Sequence, residues 1–157
     1  MQASYQDVSD MLVAAAPDLG LASVTAYEDM GSWVLAIDDA GEEGVTLDHD
    51  APNGRLMATA VIGPAPAENR LEVCEFLLSF NGLWAETGGA RTTLDAANGA
   101  VTLVADAPLE GLTQEGVAGL VDGAAALARI LATGIAEGFQ EGGDAETSGP
   151  SDAVIHG

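Results

Sequence analysis

An imidazole between two carboxylates, Asp48-His49-Asp50, is the closest this sequence comes to a reactive constellation. Such groups hold a metal or move protons only when they converge on one point. Along an extended segment successive side chains alternate, so both carboxylates point one way and the imidazole the other. A solvated turn is expected there, and no metal site. The second histidine, His156, lies near the C-terminus. Asp38, Asp39, Glu42 and Glu43 form an acidic run without the Asp-x-Asp-x-Asn-Gly spacing of a calcium loop, so it reads as a water-exposed hairpin end. The lone cysteine, Cys74, stands among apolar residues at helical spacing, where a thiol behaves as a small inert hydrophobe. Gly-x-Ser-x-Gly, the P-loop and Gly-x-Gly-x-x-Gly are all missing, and Gly88-Gly89 reads as a helix end and a turn. No catalytic residue, metal or cofactor is expected, and the chain is read as not an enzyme.

Charge narrows the partners. Twenty-five acidic residues face four arginines and no lysine, a formal net charge of −21. That balance repels phosphate backbones and anionic membrane surfaces, and it favours a basic or neutral partner. One cysteine rules out an intramolecular disulfide framework and fits a reducing compartment. Residues 1–10 have neither a basic nor an apolar leader pattern, so no secretory signal is expected and a cytoplasmic location is. Residues 117–136 are apolar enough to suggest a membrane span. They carry Asp122 and Arg129, each unfavourable by about 2.5–3.5 kcal/mol at a bilayer centre, so the stretch is read as a soluble helix.

The elements follow from periodicity and turn chemistry. Val8, Met11, Leu12 and Ala15 share one helical face, which predicts a helix over 4–16, capped by Ser4 and stopped by Pro17. Strands are expected over 32–38, 45–48 and 55–62, with connections too short for crossover helices, hence antiparallel neighbours. A second helix runs from about Pro66 to Trp84. Asn98-Gly99 signals a hairpin between strands 90–95 and 100–106. A third helix spans about 113–137, weakened by its glycines and dependent on packing. The composition after Gln140 cannot bury enough apolar area to order itself. The expected fold is α+β: an antiparallel sheet of about five strands with three helices, in the order α-β-β-β-α-β-β-α. Residues 1–139 form one domain and 140–157 a disordered acidic tail.

Apolar residues are in surplus. On the second helix they cover an arc of roughly 240°, whereas packing on one sheet needs a stripe a little over ~100° wide. A second copy of the chain is the economical cover, with Phe76, Phe80, Leu83 and Trp84 as candidate dimer residues. The strands are apolar on both faces, so one face is expected to stay open to a partner. Trp33, Leu35, Ile37, Val45, Leu47, Met57 and Val61 are the candidate partner-binding residues.

With these segments in order, the chain resembles the class I type III secretion chaperones, the Tir chaperone family. The resemblance covers roughly residues 10–131. It rests on Leu19-Gly20-Leu21, Val34-Leu35-Ala36-Ile37-Asp38, Ala60-Val61-Ile62-Gly63-Pro64, Leu77-Leu78-Ser79-Phe80-Asn81, Gly88-Gly89-Ala90, Leu94-Asp95, Gly99-Ala100-Val101-Thr102-Leu103 and Pro108-Leu109. Thr92 or Thr93 stands where the family often has an apolar residue, and the last helix is unusually glycine-rich. The resemblance implies a homodimer joined largely through the second helix. It also implies a client, the N-terminal segment of a secreted effector, held extended along the dimer without ATP. The alternative is a related acidic α+β dimer that regulates or scaffolds a folded protein.

Overall fold

The structure, a computed structural model, describes residues 1–38 and 44–138. The acidic run at 39–43 and the tail from 140 lie outside the described residues. Helix α1 is Tyr5–Leu19. Ser4 opens it with a capping box: its hydroxyl accepts the Asp7 N–H, and the Asp7 carboxylate accepts the Ser4 N–H. The Ser4 N–H foremost, and then the Ser4 hydroxyl, donate to the Asp7 carboxylate and hold it below its ordinary range. The helix runs through Pro17 instead of stopping there. Pro17 falls in the last turn, and the helix bond it deletes would have gone to Val13, an exposed position where water can replace it. Gly20 ends the helix in the left-handed region, φ 64°, donating to the Ala16 and Pro17 carbonyls.

Six strands form one antiparallel sheet: β1 Ser23–Tyr27, β2 Ser32–Ala36, β3 Gly44–Asp50, β4 Arg55–Pro64, β5 Arg91–Leu94 and β6 Ala100–Pro108. Their spatial order is β1-β2-β3-β4-β6-β5. The α+β reading and its three helices hold, with one strand more than the five expected. The addition is β1, whose Ser-Val-Thr-Ala-Tyr is exposed except for a half-buried Val24 and so shows little apolar alternation. A 3-10 turn, Glu28–Met30, joins β1 to β2. Helix α2 is Arg70–Gly82, and α3 is Gln114–Thr133 with one π-helical turn, Gly134–Gly138, after it. Thr113 caps α3 by accepting the Gly116 N–H.

Register decides which residues become core. Trp33, Leu47, Ala58 and Ala105 pair across four strands in one row, and Leu35, Val45, Ala60 and Leu103 form the next. Helices α1 and α3 cover this face with Val8, Leu12, Val117, Val121, Ala124 and Leu131. Trp33, Leu35, Val45 and Leu47 are at most 1% exposed. These four were expected on a partner-binding surface. They are core instead, because the bulkiest side chains of β2 and β3 share the parity that the two helices cover.

An aromatic cluster fixes α1 on the sheet. The Tyr5 ring stacks on Trp33 with centroids 4.3 Å apart and planes 11° from parallel. The Trp33 indole N–H donates to Ser9 Oγ at 3.0 Å. His49 stands edge-on to Tyr5, and its Nε2 lies 2.9 Å from the Ala3 carbonyl oxygen. His49 is thus a packing residue inside β3, not part of a solvated turn. Helix α3 with its following turn, Gln114–Glu137, is long and apolar enough to cross a membrane, yet it packs on the sheet as a core helix.

The opposite sheet face mixes Thr25, Val34, Thr46, Thr59 and Val104 in a cross-strand row. There Arg55 and Arg91 both reach Asp106, at 2.6 and 3.2 Å. Burial alone would raise the Asp106 carboxyl. The hydrogen bonds and charges of Arg55 and Arg91 together outweigh it and hold the group below its ordinary value.

Two outcomes are expected. Nothing lies within 4 Å of a Cβ added at Gly119 or Gly123 inside α3, so Gly119→Ala and Gly123→Ala each raise stability by about 0.5–1 kcal/mol, read from urea unfolding. Asp106→Asn lowers stability by about 1 kcal/mol at neutral pH. A carboxyl whose folded pKa is depressed stabilises fully above its unfolded value of about 4, and that contribution fades as pH falls through the folded value. The gap between wild type and Asp106→Asn therefore narrows in unfolding curves as the pH is taken below about 4.

Candidate functional site

Two stretches of surface are left incomplete. The first is built on α2. Val73 and Leu77 fall one turn apart and bury against Val101 of β6, while Phe80, one turn further, packs half-buried toward the main core. Leu71, Cys74 and Leu78, at spacings of three and four, form a second stripe. Leu71 and Leu78 are 69% and 70% exposed. Cys74, Leu77, Leu78, Asn81 and residues Thr92 to Leu94 of β5 line a cleft of about 210 Å³. Leu83 and Trp84 continue the exposed surface beyond the helix.

The candidate dimer residues divide accordingly. Leu83 and Trp84 are exposed and available. Phe76, 38% exposed, stands on the other flank, near Gly134 at the end of α3. Phe80 is turned inward by helical spacing, since it follows Val73 by seven residues. Leu71, Leu78 and Leu94 were missed. Their signal was present in the wide apolar arc of α2, but only the position of β5 shows which part of that arc is left over.

One residue holds α2 against β5. The Asn81 side-chain amide donates to the Thr92 carbonyl at 3.2 Å and accepts the Thr92 N–H at 2.7 Å. The Thr92 hydroxyl bonds Asn81 Oδ1 and the Leu77 carbonyl. The outer margin of β5 is therefore closed at Thr92 by a side chain that imitates a neighbouring strand. This gives a physical role to the asparagine of Leu77-Leu78-Ser79-Phe80-Asn81. It also explains why a buried threonine is tolerated at position 92.

The second stretch is the other end of the sheet. β1 pairs with β2 alone. On α1, Ser9 faces Trp33 of β2, and Val13, four residues on, continues that row toward β1. Val13 is 71% exposed, and Tyr27 and Met30 near the end of β1 are also exposed. Among the described residues the outer edge of β1 is thus left without a strand partner, and Val13 of α1 stands exposed on the helix-covered side. Of the other expected partner residues, Ile37 and Val61 line a cleft of about 160 Å³ with Ala128 and Arg129 of α3. Met57 lies half-buried on the sheet face away from the helices. Among the described residues no cluster of His, Cys, Asp and Glu is placed to hold a metal ion.

Residues 12–132 match the model of the Tir chaperone protein (CesT) family. The chain belongs to this family. A comparison with curated protein sequences gives no match. Among solved structures, the crystal structure of the ExsC–ExsE complex contains a chain 26% identical, with a TM-score of 0.66 over 80% of this chain and 91% of that one. The structure of the HopA1–SchA chaperone–effector complex gives 18% identity and a TM-score of 0.61, covering 80% of this chain and 92% of that one. The Yersinia pestis type III secretion chaperone SycH, in complex with a stable fragment of YscM2, gives 21% and 0.59, with coverage of 82% and 99%. The resemblance read from the sequence is met by family and by fold. For the Tir-family chaperone described here, Asn81 is the residue that orients α2.

Asn81→Ala removes the side-chain partners of the Thr92 N–H and carbonyl and is expected to lower stability by about 1–3 kcal/mol in urea unfolding. Asn81→Asp keeps the acceptor but loses the donor, and it falls between the two.

Proposed function

We propose that this Tir-family chaperone is a cytoplasmic homodimer that binds the extended N-terminal segment of a type III secreted effector and keeps it competent for export. It acts by binding and not by catalysis. The observation that carries this reading is the family match, because residues 12–132 take in both the α2 stripe and the β1 margin. The two surfaces suit different occupants. The α2 stripe, with Leu71, Leu78, Trp84 and Leu94, is apolar and exposed and is suited to its own copy. A two-fold contact there would bury the Leu78 side chain and the cleft lined by Cys74 and Leu94 in both protomers. The β1 margin beside Val13 suits an extended segment that adds a strand: backbone hydrogen bonds supply affinity, and alternate side chains meet α1. Ile37 and Val61, at the cleft under α3, extend the apolar path for such a segment. No nucleic acid and no membrane insertion enters this scheme.

Light scattering is expected to give a mass near twice 15.8 kDa. Leu78→Asp and Trp84→Asp are expected to yield folded monomers with unchanged far-UV circular dichroism, since both side chains are largely exposed in the single chain. An unchanged dimer in both variants removes α2 from the contact. Co-expression with a candidate secreted effector, followed by limited proteolysis and mass spectrometry, is expected to leave an N-terminal client fragment protected. Protection of a folded domain instead would favour a scaffolding role and overturn the client assignment.

A further inference from the structure

The elements at the β1 end of the sheet carry no lysine or arginine of their own, and Arg129 of α3 comes nearest, lining the cleft with Ile37 just past β2. The first 54 residues contain eleven acids and no lysine or arginine. They supply α1 and the first three strands of the sheet, of which β1 is the outermost among the described residues. Of the four arginines, Arg55 and Arg91 are engaged with Asp106 on β6, on the far side of β3 from β1.

The acids are also placed at the ends of β1. Asp18 stands in the last turn of α1, a few residues before β1 begins, and that turn has no basic residue. The C-terminal end of a helix already carries about −0.5 elementary charge, so an acid there is electrostatically misplaced unless a cation arrives to face it. Glu28 and Asp29 follow directly at the other end of β1, both exposed in the 3-10 turn. Between them, the five residues of β1 span about 17 Å. At physiological ionic strength charges are screened over about 8 Å, so the two ends act separately. β1 itself is mixed, Ser-Val-Thr-Ala-Tyr, with Val24 and Ala26 on the face toward the helices and the exposed Tyr27 on the other.

We infer that the segment accepted along β1 is cationic: a short apolar-alternating stretch with lysine or arginine at both ends, one set facing Asp18 and the other facing Glu28 and Asp29. This rests on the strand-addition reading above and adds the charge pattern that selects among extended segments. Acidic or neutral segments with the same apolar pattern are discriminated against by the same field that attracts basic ones.

The test uses the full chain and three synthetic peptides with one alternating valine–serine core, flanked on both sides by lysines, glutamines or glutamates. At about 0.1 M salt the lysine peptide is expected to bind roughly tenfold or more tightly than the glutamine peptide, with the glutamate peptide weakest. At about 1 M salt, where screening acts over about 3 Å, the lysine and glutamine peptides are expected to converge within roughly twofold. In the triple variant Asp18→Asn, Glu28→Gln, Asp29→Asn, the lysine peptide is expected to fall to the affinity of the glutamine peptide, which itself stays unchanged. Equal binding of all three peptides would overturn the charge pattern while leaving strand addition intact. Lysine preference that survives the triple variant would move the site away from β1. Failure of every peptide to bind at either salt would remove strand addition along β1, and this inference with it.

Discussion

Burial of the Trp33–Leu35–Val45–Leu47 face beneath α1 and α3 is the interaction on which the rest of the structure depends. Each of these side chains contributes roughly 1.5–3 kcal/mol when removed from water. Tyr5 and Ser9 then fix the rotation of α1 about its own axis, through the stacked ring and the indole hydrogen bond. Once that rotation is set, Val13 must emerge on the β1 side. The exposure of Val13 is therefore a consequence of the core and not an independent feature.

The same constraint leaves α2 out. With α1 and α3 occupying the centre of the sheet, α2 reaches only its β5 end. There it buries a narrow stripe, Val73 and Leu77, and its second stripe faces outward. A helix with apolar residues on two sides and a sheet able to cover one of them is unfinished as a monomer. The Asn81–Thr92 bonds hold that unfinished helix at one angle, so the surplus surface is presented in a defined orientation.

Much of this was legible in the sequence. Turn chemistry and periodicity located three helices and five strands, and the breadth of the apolar arc on α2 flagged it as needing more than one neighbour. The strand-face assignment failed for Trp33, Leu35, Val45 and Leu47 because β2 is apolar on both faces, and alternation alone does not say which face the helices take. Side-chain volume would have decided it: Trp33 and Leu35 go in, and the smaller Val34 and Ala36 stay on the outer face. β1 escaped notice for the opposite reason. A strand at the end of a sheet with little to bury leaves little apolar signature, and its existence depends on β2 being beside it. Phe80 falls half-buried because an arc of 240° contains both a buried and an exposed stripe, and only the position of β5 separates them.

The two ends of the sheet are unlike. At one end Asn81 occupies the place of a neighbouring strand at Thr92, and at the other no strand follows β1 among the described residues. Runaway polymerisation through backbone pairing needs two receptive ends on every subunit, as in a filament. A subunit with one stoppered end cannot propagate such a chain: any strand-to-strand association would stop at a pair. Capping of the β5 edge at Thr92 therefore works against filament growth through backbone pairing between copies.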